Sequence, residues 1–165
     1  MKMNTMDDIK TSGFEGFVTT LHLMKSQCAE ISATQGIYLV LNNSDQHLQF
    51  LSKNVGGHFK GRNPTVSVQK LIQKAGYKSP VVYIGKAGGM TSRATLQKRI
   101  RQYMRFGQGE PVGHWGGRYI WQLENHMDLI VCWKSTIQEP RDVEKKLIHQ
   151  FEKEFGMLPF ANISR

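Results

Sequence analysis

Two tyrosines stand close to glycines, in Gly36-Ile37-Tyr38 and in Tyr83-Ile84-Gly85. A phenol can pass a proton or donate a hydrogen bond, yet a strand tyrosine is ordinarily half-buried core. Arg99 precedes Tyr103 by one helical turn, which puts both on one edge of a helix. A guanidinium there suits a planar, bidentate contact with a phosphate, or a plain surface position. Glu144 is the least ordinary residue. Val143, Leu147, Ile148, Phe151 and Phe155 recur at helical spacing, and Glu144 falls near the middle of their stripe. A carboxylate on an apolar stripe needs a cation or strong hydrogen bonds. A metal ion and a neighbouring arginine meet that need equally well at this level. His114 lies beside Trp115 in a glycine-rich loop from Gly107 to Gly117. It could assist proton transfer or merely pack on the indole. His22, His47, His58, His126 and His149 stand in no pattern and read as ordinary histidines. Cys28 and Cys132 form no CxxC pair, so reduced, buried thiols of a cytoplasmic protein are expected.

The charge is unevenly placed. The net charge is +9, and residues 36–105 hold twelve basic side chains against the single acid Asp45. The flanking stretches, 1–35 and 106–165, are each close to neutral. A concentrated basic surface attracts a polyanion, and each neutralised phosphate releases condensed counterions. Lys53, Lys60, Arg62, Lys70, Lys74, Lys98, Arg101, Arg105 and Arg118 are therefore the candidate nucleic-acid contacts. The longest apolar runs, such as Leu129 to Trp133, are far too short to span a bilayer, and no membrane partner is expected.

These side chains need elements to hold them. Ser12 and Glu15 read as a capping box for a helix carrying Phe14, Phe17, Val18, Leu21, Met24 and Cys28, after a loose tail. Gly36 to Leu41 reads as a strand, and Val81 to Gly85 as a second. Between them lies a basic insert, about 42–80, with a loop over 52–64 and a short helix near Ser67 to Ala75. Val68, Leu71 and Ile72 share one side of that helix. Thr91 or Ser92 caps a helix to about Arg105, with Leu96, Ile100, Tyr103 and Met104 inward and Lys98, Arg101 and Arg105 outward. A third strand is expected over Asp128 to Lys134. A last helix starts at Pro140 and stops at Gly156. The chain thus divides into an N-terminal tail and helix, 1–35, and one domain, 36–165. The fold class is α/β (α+β): a three-stranded, mostly antiparallel sheet flanked by helices.

Taken together and in this order, Gly36-Ile37-Tyr38, Tyr83-Ile84-Gly85, a helix with Leu96-x-x-Arg99, Glu144 on a late helix and Asn162 near the end resemble the GIY-YIG nuclease family. The resemblance spans roughly 36–41, 81–105 and 128–162, and omits the N-terminal helix and the insert. It implies a metal-dependent endonuclease that hydrolyses phosphodiester bonds. It implies one divalent metal, Mg²⁺ or alternatively Mn²⁺, held by Glu144. Arg99 would stabilise the phosphate in the transition state, Tyr38 would activate water, and Tyr83 would be its neighbour. Lys86 and Tyr103 match positions that are often basic and often tyrosine or histidine. Asn162 would brace the site, and His114 stands where some members place a further histidine. One departure is the length between the tripeptides, Leu39 to Val82, where the family often has a short turn.

The expected substrate is double-stranded DNA, and the restriction branch is the nearest analogy. A catalytically inactive nucleic-acid-binding module on the same scaffold is the alternative. A housekeeping domain with incidental charge is a third reading.

Overall fold

The computed structural model describes residues 1–44 and 47–164. Asp45, the only acid of the insert, lies outside them. The elements run α1 (Met6–Thr11), β1 (Glu15–Thr19), α2 (Thr20–Ser26), β2 (Gly36–Leu41), α3 (Val68–Gln73), β3 (Val81–Ala87), α4 (Leu96–Gly107), β4 (Ile130–Ser135) and α5 (Pro140–Phe155). The protein is α+β. Four antiparallel strands form one sheet in the order β1-β4-β2-β3.

All six residues of β2 are buried, because both faces of the sheet are covered. Side chains alternate along a strand. Ile37, Leu39 and Leu41 accordingly join one core, with Ile148 and Phe151 of α5 and Ile9 of α1. Tyr38 and Val40 join the other, with Leu96, Ile100, Tyr103 and Met104 of α4. Tyr38 and α4 are thereby committed to the same side. Helix α4 begins one turn later than Thr91 or Ser92 suggested: Thr95 is the cap, accepting from the Lys98 amide. Helix α5 matches its expected bounds, with Pro140 in the first turn and Gly156 in the left-handed conformation after it. In α3 only part of the expected stripe is inward: Leu71 is buried and Ile72 is 59% exposed.

The N-terminal segment departs most from expectation. The stretch from Phe14 to Cys28 is not one helix. It is strand β1 followed by the short helix α2, capped by Thr19. The apolar residues do recur at helical spacing, but the open edge of β4 recruits the first of them as a strand. Glu15 pairs with Trp133 and Thr19 with Ile130, with a bulge between Gly16 and Val18. Gly16 lies against the Trp133 ring, where any Cβ would overlap the indole. This pairing supplies the fourth strand and joins residues 1–35 to the same sheet. Nor is the start a loose tail. Thr5 and Asp8 form the capping box of α1, Met3 and Ile9 are fully buried, and Ser12 donates to the Asp8 carbonyl at that helix's end. Ser12 therefore closes one helix rather than opening another.

The insert is bonded to the segment after α4. Trp115–Gln122, which takes in the last three residues of the expected Gly107–Gly117 loop, forms 3₁₀ turns. Buried Gln122 donates to the carbonyls of Leu51 and Val66 and accepts from the Val66 amide. Asn54 donates to the Arg118 carbonyl at 2.9 Å, and the Gly57 amide donates to Phe106. No helix among the described residues is long and apolar enough to cross a membrane.

Candidate active site

Tyr38 stands on β2 opposite Gly85 on β3. A Cβ on Gly85 would overlap the Tyr38 ring, so the glycine of one tripeptide makes room for the tyrosine of the other. This is a physical reason for finding both tripeptides in one sheet. Tyr38, Tyr83 and Tyr103 form a compact aromatic group, with ring centroids 5.4 to 6.2 Å apart.

His114 completes the group. Its Nε2 lies 2.7 Å from the Tyr38 hydroxyl, and its ring stacks on Tyr103 with centroids 3.5 Å apart and planes 5° from parallel. His114 is buried, and its Nδ1 has no partner among the described residues. Burial, reinforced by Arg99, holds its pKa well below the ordinary histidine value, so the ring is neutral near neutral pH. The choice between proton transfer and packing against Trp115 gains a definite element: the histidine is bonded to a tyrosine.

Arg99 projects from the edge of α4. Its Nη1 donates to Gln102 Oε1 at 2.8 Å and to the Gly113 carbonyl at 3.0 Å, which orients the guanidinium. Gln102, three residues on, was not a sequence candidate; its helical spacing from Arg99 is the signal that marks it. Tyr103 donates to the Gly117 carbonyl and is fully buried. Arg99 and Gln102 share an open cleft of about 430 Å³ with Tyr38, Tyr83, Lys86 and Glu144. A smaller pocket beside it is lined by Tyr83, Gly116, Glu144, Ile148 and Asn162.

Glu144 projects from α5 into both pockets and is partly buried. It makes no hydrogen bond or ion pair to another described residue. The salt bridge to a neighbouring arginine, open from the sequence, is therefore not formed. Burial raises its pKa above the ordinary carboxylate value, against the opposing fields of Lys86 and Arg99. Among the described residues no group of three or more His, Cys, Asp and Glu side chains could hold a metal. A lone hard oxygen donor fits a cation that keeps water and substrate oxygens on most positions, which is the habit of Mg²⁺.

Asn162 acts on the terminal strand of the sheet. Its Oδ1 accepts from the Ile84 amide and its Nδ2 donates to the Ile84 carbonyl, both at 2.9 Å. One side chain thus closes the strand edge beside Tyr83. A second brace was not visible in the sequence. Glu139 accepts from the Met90 amide and presses on Gly89, whose φ of +110° suits glycine. That contact ties the turn after Lys86 to the start of α5.

The phenols do not have the lowered pKa that a base needs. Burial pushes Tyr38 and Tyr103 well above the ordinary tyrosine value and Tyr83 up to about 12, while Arg99 opposes the shift. Lys86 and Arg99 alone do not reverse the cost of burial.

The proposed nucleic-acid contacts divide. Lys98, Arg101 and Arg105 lie on the outer side of α4 as expected, but Arg101 donates to Gln27 and Arg105 is paired with Glu110 at 2.6 Å. Lys53, Lys60 and Lys70 are exposed, with Lys60 over Phe59. Arg62, Lys74 and Arg118 come together around Trp115 and Tyr119. Comparison with protein-family models, curated proteins and solved structures finds no match to this chain.

Proposed function

We propose that the protein is a metal-dependent endonuclease of the GIY-YIG type that hydrolyses phosphodiester bonds in DNA, and that its sheet is that family's sheet with β1 added. The observation that carries this reading is the meeting of Tyr38, Tyr83, Lys86, Arg99 and Glu144 around one cleft. These residues come from four elements, and a merely stable core has no need of that set.

Phosphodiester hydrolysis gathers negative charge on the phosphorus oxygens. Arg99, held by Gln102 and Gly113, has donors left to meet that charge, and Lys86 adds a second cation. Glu144 would hold the Mg²⁺. When bound there, the ion would supply Lewis-acid polarisation of the phosphate. Tyr38 acts as one member of a pair. The attacking water passes its proton to the Tyr38 oxygen, while the Tyr38 hydroxyl proton moves to His114 Nε2. The water oxygen bonds to phosphorus and the bond to the leaving oxygen breaks. Tyr38 never has to exist as a free phenolate in a buried site. His114 starts the step neutral; the burial and the Arg99 charge that lower its pKa also oppose the imidazolium, a cost that the negative charge gathering at the phosphate must offset.

The second reading, a non-cleaving nucleic-acid module, draws on the raised phenol pKa values. Incubation of supercoiled plasmid with Mg²⁺ separates the two. Nicking that is lost with EDTA and in Glu144→Gln is the expected result. Intact plasmid with measurable DNA binding would instead favour the module.

A further inference from the structure

Outside the cleft, two guanidinium groups meet over one indole. Arg62, from the insert, has its Cζ 4.4 Å from the Trp115 ring centroid, and Arg118 has its Cζ 4.3 Å from the same centroid. Arg118 also lies 5.0 Å from the Tyr119 ring, and the Lys74 ammonium lies 6.0 Å from that ring. Three cations are thus lined up along two neighbouring aromatics. None of them takes part in an ion pair among the described residues. Arg118 Nη1 reaches only the Trp115 carbonyl, and its buried Nε has no partner among the described residues.

This arrangement is held in place rather than incidental. Asn54 bonds the insert to the Arg118 carbonyl, and Gln122 bonds the same turn to Leu51 and Val66. The insert therefore delivers Arg62 to Trp115 through partly buried hydrogen bonds. Cation–π contact with the indole offsets part of the repulsion between like charges. An anion would offset the rest, and paired guanidinium groups are suited to phosphate oxygens. The row adjoins the cleft: His114 precedes Trp115, Gly116 lines the pocket that holds Glu144, and Lys74 donates to the Asn162 carbonyl.

We propose that Arg62, Trp115 and Arg118 form a phosphate-docking station for the DNA strand, next to the cleavage cleft and distinct from it. The identity of the strand rests on the nuclease reading; the anion site does not. Arg62 is exposed, and its side chain makes no hydrogen bond to another described residue, so Arg62→Glu reverses the charge and gives up only its cation–π contact with Trp115.

The test uses the Glu144→Gln protein, which keeps the substrate uncut, and a fluorescently labelled DNA duplex. Anisotropy is read at a series of salt concentrations. Arg62→Glu is expected to weaken binding at least about tenfold at low salt and to reduce the slope of log K against log[salt] by about one. Arg62→Ala with Arg118→Ala is expected to reduce it by about two, with circular dichroism to check the fold. Lys153→Ala, exposed in the last turn of α5, is the control and leaves the slope unchanged. An unchanged slope in Arg62→Glu overturns the proposal, whatever the double variant does. Inorganic pyrophosphate is titrated in parallel. If pyrophosphate binding needs Arg62 and duplex binding does not, the site serves a small phosphate ligand and the strand proposal fails. Plasmid cleavage by the otherwise unmodified protein separates the two readings. Arg62-dependent binding without cleavage removes the nuclease and keeps the station. Cleavage with Arg62-indifferent binding does the reverse.

Discussion

On the inner edge of α4, Arg99 is oriented by neutral acceptors, the Gln102 amide and the Gly113 carbonyl, and faces a cleft. On the outer side, Arg101 reaches Gln27, and both Nε and Nη2 of Arg105 reach the Glu110 carboxylate. Both sides carry arginine in the sequence and differ in what answers the charge. Arg105 has its counter-ion within the protein. Among the described residues Arg99 has none beyond the partial charges of two neutral oxygens, and Glu144, the one carboxylate they place in its cleft, does not pair with it. A cation that is held but not neutralised is prepared for an anion from outside. If the proposed DNA binding holds, the count of Lys and Arg along the chain would overstate the binding surface, since internal pairing leaves fewer charges available.

The strongest test of this contrast is Glu144→Gln. Removing the one carboxylate of the cleft is expected to lower plasmid cleavage on the order of 10³-fold, with the circular dichroism spectrum unchanged. Wild-type nicking rates in a folded Glu144→Gln protein would remove this residue from the mechanism.

Next is the pair on α4 itself. Arg99→Ala is expected to cost about 100-fold or more in single-turnover cleavage, as for other fixed charge stabilisers. Arg101→Ala is expected to leave cleavage at saturating enzyme nearly intact. Equal losses would erase the distinction between the two sides. His114→Ala belongs between them, with a loss of roughly 10 to 100-fold if Tyr38 works as one of a pair. A fall no larger than that of Arg101→Ala would leave His114 as packing.

A stability measurement sharpens the same contrast without any assay of cleavage. Burial raises the pKa of Glu144 in the folded chain above its ordinary value of 4.5. The folded state therefore holds this proton more tightly than the unfolded one, and that stabilisation is full below the ordinary value and lost as pH rises through the folded one. Metal-free Glu144→Gln should accordingly melt at a higher temperature than the unmodified protein near pH 7, and the difference should vanish on acidification towards pH 4. A lower melting temperature at pH 7 would mean that Glu144 has a stabilising partner after all. The smallest effect is expected for Arg105→Ala: melting temperature and cleavage both close to those of the unmodified protein, since an exposed ion pair adds little. A clear loss of DNA affinity there would return the outer face of α4 to the binding surface.

Much of this molecule is written in short stretches of sequence. The run from Gly36 to Leu41, the inward face of α4, and α5 between Pro140 and Gly156 depend on local propensity, spacing and end residues, which act over a few positions. The placement of Glu144 on an apolar stripe is legible for the same reason. The segment from Phe14 to Cys28 shows the limit. Its helical spacing is real, yet the edge of β4, more than one hundred residues later, makes it a strand and a short helix. Nothing within that segment specifies this. The Tyr38–His114 bond, the absence of a salt bridge from Glu144 to another described residue and the meeting of Arg62 with Trp115 and Arg118 are likewise products of tertiary packing. Residue types and order named the candidate chemistry. Which charges were paired, which phenol met the imidazole and where the insert lay were decided by contacts between distant segments, because those contacts form only once the sheet and its two cores have closed.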